Sequence, residues 1–145
     1  MMQEFAEAEP RNDGLGQERI GFLSKFLRYE LKSAERYRRF VSLIIVTSTG
    51  RTGKVKKLLA EQLRNSDVMA ELDGASVILM SETNTAGALA AIERYKARNS
   101  DNHDMRFALV TYPSDGGGAD GLLAAGFRRL QKASASQAGS VVMTG

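Results

Sequence analysis

RNSDVMAELDGASV, residues 64–77, decides how the chain folds. Asp73-Gly74 stands between two apolar runs within residues 68–80. Asp-Gly in that position predicts a two-residue type I′ hairpin, because both central residues of such a turn need positive φ. Arg64 and Asp67 lie three apart just ahead of the hairpin, where a helical pattern ends. Taken alone, that spacing describes an i,i+3 ion pair worth roughly a few tenths of a kcal/mol.

On either side of this stretch the pattern alternates between helix and strand. Apolar residues Ile20, Leu23, Leu27, Leu31 and Ala34 recur at helical spacing through residues 17–37, with Arg19, Lys25, Lys32 and Arg36 among the polar positions. The run FVSLIIV at 40–46 is β-branched and apolar on both faces, as a strand in the middle of a sheet must be. TSTGRTGKVKKLLAEQL follows as a glycine-bearing loop and a helix carrying Val55, Leu58, Leu59 and Leu63. It fails as a phosphate loop, since Ser48 stands where the first glycine is needed and Val55 where Ser or Thr must follow Lys54. After the hairpin, residues 83–98 read as a helix with Ala88, Leu89, Ile92 and Tyr95 on its apolar stripe and Thr83 or Asn84 as cap. Residues 105–112 alternate as a strand ended by Pro113, SDGGGAD is a linking loop, and Leu122, Leu123, Phe127 and Leu130 mark a last helix. A short final strand is expected within residues 141–144.

The order α-β-α-β-β-α-β-α-β predicts an α+β domain, a mixed central sheet flanked by helices and close to ferredoxin-like. At 145 residues and 43% hydrophobic content, one domain can bury its core without staples. Residues 1–12 read as a linker or frayed end and residues 13–145 as the domain.

Composition narrows the chemistry. With no cysteine and a single histidine, His103, placed in a loop without a role, thiol catalysis, disulfides and Cys/His zinc sites fall away. No metal site or cofactor is expected. Absence of a signal peptide or spanning segment points to a cytoplasmic protein without a membrane partner. Residues 17–66 hold 12 of the 20 Lys and Arg but 4 of the 17 Asp and Glu, so that segment carries +8 and the remainder −5. Such a field favours an anionic partner. Nucleic acid is the weaker candidate, because the basic segment lacks a glycine-aromatic RNA motif or a recognition helix.

Several stretches together resemble the GGDEF domains of diguanylate cyclases, which make cyclic di-GMP. FLRYELKSAERYRRFVSLIIV is similar to that family's first helix and strand. SETNTAGALAAIERYKA is similar to its segment after the signature, and ALVTYPSDGGGADGLLAAGFRRLQKA to its late strand, Tyr-Pro turn and final helix. The resemblance covers residues 13–144 and implies a GGDEF-type fold.

It also implies what has been lost. Where the family carries Gly-Gly-Asp/Glu-Glu-Phe, this chain has Asp73-Gly74-Ala75-Ser76-Val77. Two divalent ions need hard oxygen ligands that Ala75 and Ser76 cannot replace together. The aspartate expected at the end of the first strand is missing from Val46-Thr47-Ser48-Thr49, and the segment before Lys54 is too short for the family's GTP-binding helix. The expectation is a domain without cyclase activity.

What the resemblance leaves intact is the family's inhibitory RxxD motif, five residues before the signature, here Arg64-Asn65-Ser66-Asp67. The family's further arginine, from the helix after the hairpin, matches Arg94. Arginine can donate a fork to guanine O6 and N7 or bind phosphate, and a carboxylate can accept from guanine N1–H and N2–H, which adenine does not offer. Arg64, Asp67 and Arg94 are thus the expected ligand-binding residues of a cyclic di-GMP receptor, with homodimerisation or docking to another domain as further partners. The alternative is a protein-interaction or dimerisation module built on the first helix, which gains ground if the three residues do not converge.

Overall fold

The computed structural model describes residues 13–48, 52–72, 74–98 and 104–145. The 1–12 segment, the middle of the glycine-bearing loop at 49–51, Asp73 and His103 lie outside the described residues. The element order agrees with the sequence reading throughout: α1 Asp13–Tyr37, β1 Val41–Ser48, α2 Thr52–Glu61, β2 Val68–Leu72, β3 Ala75–Ser81, α3 Thr85–Arg98, β4 Met105–Tyr112, α4 Ala119–Ser134 and β5 Val141–Val142.

The sheet runs β2-β3-β1-β4-β5. β1 pairs antiparallel with β3 and with β4, β2 pairs antiparallel with β3, and β5 joins β4 in parallel, which makes the sheet mixed. β1 is central, and its residues 41–46 are all buried, because helices cover both faces of the sheet. Leu43 and Ile45 join a core with Leu23, Leu27 and Leu31 of α1 and Leu122 and Leu123 of α4. Ile44 and Val46 point the other way, into a core with Val55 and Leu59 of α2 and Ala88, Ile92 and Tyr95 of α3. One strand thus feeds two cores through its period of two. The β1-α2-β2-β3-α3-β4 segment is the ferredoxin-like unit, with α2 and α3 on one face; α1 and α4 close the other.

The hairpin has the expected register. Leu72 faces Ala75 and Glu71 faces Ser76 across a two-residue connection, and Gly74 has φ +82°, the sign an Asp-Gly turn requires. α3 starts at Asn84, whose Oδ1 accepts from the Gly87 N–H at 2.9 Å and so satisfies one of the free donors of the first turn. α4 approaches the sheet at Gly126, where a Cβ would stand 2.8 Å from Ile45 Cδ1.

Candidate functional site

Arg64 and Asp67 do not sit at a helix end. α2 stops at Glu61 and the pair closes a turn ahead of β2. The Asp67 N–H donates to the Arg64 carbonyl at 3.0 Å, and the Arg64 N–H donates to Asp67 Oδ2 at 2.9 Å. Arg64 Nη2 lies 3.4 Å from Asp67 Oδ1 and donates to Thr83 Oγ1 at 2.6 Å. Thr83 in turn donates to the Ser81 carbonyl at 2.8 Å. The guanidinium is therefore held from two directions, by its own turn and by the segment joining β3 to α3.

Asp67 differs from the sequence expectation in its orientation. Its side chain is completely inaccessible, whereas that of Arg64 is half exposed. Both Asp67 oxygens already accept hydrogen bonds from Arg64. In this arrangement Asp67 fixes the arginine and offers nothing to solvent, because a carboxylate taken out of water must be bonded internally.

Arg94 reaches the same place from α3. Asn84, Gly87, Ala91 and Arg94 follow one another at spacings of three and four, a single stripe of the helix. That stripe, with Arg64, Phe40, Glu82 and Thr83, lines a cleft of about 240 Å³. Gly87 and Ala91 keep its floor low; a Cβ at Gly87 would already stand 3.0 Å from the Thr83 methyl group. A second cleft, of about 430 Å³, lies between α2 and α3 and is lined by Leu58, Glu61, Gln62, Arg94, Ala97 and Arg98. It is the larger, but the smaller one brings together two of the three expected residues, and Arg94 borders both. Arg94 forms no ion pair among the described residues.

Beneath these groups lies Tyr95, fully buried, whose hydroxyl has no hydrogen-bond partner among the described residues. Burial, and then the charge of Asp67, push its pKa up to about 12, while Arg94 and Arg64 pull the other way. The charges of all three expected residues are thus felt at one buried hydroxyl.

The sequence reading passed over two residues of the cleft. Phe40 was legible only as the start of an apolar strand, yet it stands ahead of β1 and is 46% exposed. Glu82 has φ +52°, a conformation that costs a non-glycine residue on the order of 1–3 kcal/mol and that no Glu announces in sequence. Thr83, weighed only as a helix cap, is instead the second anchor of Arg64.

At the signature position Ala75 and Ser76 stand where the family's two acids would be. Ala75 and Ser76 are buried, and the Ser76 hydroxyl donates to Glu71 across the strand pair. Among the described residues no three His, Cys, Asp or Glu side chains gather as a metal site would require, and no helix is long and apolar enough to cross a membrane.

No family model and no curated protein matches the sequence. Solved structures do match. The GGDEF domain of TpbB (YfiN) from Pseudomonas aeruginosa superposes with a TM-score of 0.74 at 20% identity, over 86% of this chain and 88% of that one. The active GGEEF domain of a diguanylate cyclase from Vibrio cholerae gives 0.69 at 12% identity, over 85% and 94%. The diguanylate cyclase SiaD of Pseudomonas aeruginosa, in complex with its activator SiaC, gives 0.72 at 12% identity, over 85% of this chain and 57% of that one. Identities this low speak for architecture alone: the chain has the α+β fold of GGDEF domains.

Proposed function

We propose that this domain is a catalytically inactive GGDEF-like receptor for cyclic di-GMP, which it binds through Arg64, Asp67 and Arg94. The observation that carries the reading is the single cleft lined by Arg64 and Arg94, residues thirty positions apart that only the fold brings together. Arg64 supplies a fork for guanine or phosphate, Arg94 a second cation, and Asp67 holds Arg64 in place from beneath. Loss of catalysis is supported by the signature position, where Ala75 and a Ser76 bonded to Glu71 replace metal-binding acids.

Titration calorimetry with cyclic di-GMP tests the reading. Wild type binds and Arg64→Ala does not; no measurable wild-type binding at high micromolar ligand would sink the proposal. Incubation with GTP and Mg²⁺ yields no cyclic di-GMP, and product formation would remove the claim of inactivity.

One observation favours a second reading, an interaction module. Phe22 and Tyr29 lie two turns apart on α1 and are 58% and 74% exposed, an apolar pair suited to a partner helix or a second copy. SiaD is found with a protein activator, and partner binding of that kind is compatible with a receptor. Sedimentation equilibrium of wild type and Tyr29→Glu decides it: a dimer lost in the variant supports the module, and a monomer in both removes self-association.

A further inference from the structure

Recognition of guanine needs an acceptor for its N1–H and N2–H, and the buried, doubly bonded carboxylate of Asp67 does not supply one. Among the described residues the cleft that holds Arg64 and Arg94 has one carboxylate in its wall, Glu82. Its Oε2 forms an ion pair with Arg39 Nη1 at 2.7 Å, and Oε1 accepts no hydrogen bond among the described residues. The side chain is 64% exposed, and the positive φ of Glu82 turns the chain at the junction of β3 and α3, where the cleft opens. Phe40 lines the same cleft, and its backbone carbonyl accepts from the Thr83 N–H at 3.2 Å, which ties the ring's segment to that of Glu82. Asn84 adds an amide: its Oδ1 is committed to the helix cap, which leaves the Nδ2 hydrogens as donors.

We propose that Glu82 and Phe40 complete a guanine-binding subsite, in which the Phe40 ring stacks on the base and Glu82 accepts from its N1–H and N2–H. The inference rests on the cyclic di-GMP reading and assigns base selectivity to residues outside the Arg-x-x-Asp turn. An aromatic face binds any base, so Phe40 contributes affinity without preference. A carboxylate facing N1–H and N2–H contributes the preference, because adenine presents an unprotonated N1 and no amino group at C2. Arg64 and Arg94 then meet the phosphodiesters or the Hoogsteen edge of the same guanine. The ion pair with Arg39 engages Oε2 alone and leaves the other oxygen for the ligand.

Calorimetry with cyclic di-GMP and cyclic di-AMP on wild type, Glu82→Gln, Phe40→Leu, Arg39→Ala and Arg64→Ala separates the possibilities. Glu82→Gln keeps the shape but turns an NH2 toward the guanine donors, so cyclic di-GMP binding falls at least about tenfold while cyclic di-AMP binding changes by less than about twofold. Phe40→Leu weakens both ligands by a similar factor, with a circular dichroism spectrum and melting curve that confirm the fold. Arg39→Ala retains the guanine preference; a loss equal to that of Glu82→Gln would assign the effect to the ion pair and overturn the proposal. If wild type binds, Arg64→Ala abolishes binding, and Glu82→Gln stays within twofold of wild type, the inference fails and the receptor reading stands. If wild type binds neither ligand, both fall together.

Discussion

Arg64 Nη2 and Thr83 Oγ1 are joined at 2.6 Å, a shorter contact than the 3.4 Å that separates the same nitrogen from Asp67 Oδ1. The best hydrogen bond of the guanidinium thus leads to the start of the segment that becomes α3, the helix that carries Arg94. The hydroxyl also donates to Ser81, so each of its functions is used. Thr83→Val keeps the volume and removes both bonds. It should lower stability by about 1–2 kcal/mol, read as a shift of the urea midpoint, and should weaken cyclic di-GMP several-fold by letting Arg64 wander. Unchanged affinity would show that Arg64 is positioned by Asp67 alone.

Asp67 and Arg64 should separate in their effects on stability. Asp67→Ala leaves the Arg64 N–H and guanidinium without their acceptor inside a turn, a loss of about 1.5–3 kcal/mol for hydrogen bonds to a charged group. Arg64→Ala leaves the buried carboxylate with its backbone donor, so binding is lost with a smaller stability change. A stability of Asp67→Ala equal to wild type, measured by chemical denaturation, would contradict the buried role described above.

Tyr95 places an alkaline limit on the fold. Its hydroxyl is buried without a hydrogen-bond partner among the described residues, and its pKa is raised from 10.0 to about 12. Above pH 10 the unfolded chain releases this proton and the folded chain does not, so stability is full below pH 10 and falls as the pH rises toward 12. Tyr95→Phe removes the unpaired oxygen and should be neutral to mildly stabilising at pH 7, by up to about 1 kcal/mol. It should also flatten the alkaline limb of the stability curve. Melting curves from pH 8 to 11.5 check both outcomes.

An acid limit comes from Asp115. Partial burial works against its ionised form, but the hydrogen bonds from Arg129 and from the Thr111 N–H outweigh it and hold the carboxyl below its ordinary 3.8. A depressed folded value contributes stability above the unfolded pKa and loses it as the pH falls through the folded one, so the loss belongs below about pH 4. Arg129 is buried and also donates to the Leu109 carbonyl at 2.7 Å. Asp115→Asn should therefore destabilise at pH 7, by about 1–3 kcal/mol for the guanidinium left without its anion, and should reduce the slope of stability against pH in the acid range.

Much of the architecture could be read along the chain because its causes are local. The continuous apolar run FVSLIIV, the helical spacing of Leu23, Leu27 and Leu31, and the Asp-Gly turn each act within a few residues, and signals of this kind along the chain gave the order observed among the described residues. The resemblance to GGDEF domains named Arg64, Asp67 and Arg94 as candidates, but a motif says nothing of burial or direction. Only the tertiary structure decided that Asp67 faces inward and Arg64 outward, because that depends on how the turn ahead of β2 is bonded and buried. The tertiary structure also seats Thr83 against Arg64 and leaves the Tyr95 hydroxyl without a hydrogen-bond partner among the described residues. Phe40 and Glu82 meet at the cleft for a related reason: β1 pairs with β3, so the residue before one strand faces the residue after the other, a neighbourhood forty positions long in sequence and one strand wide in space.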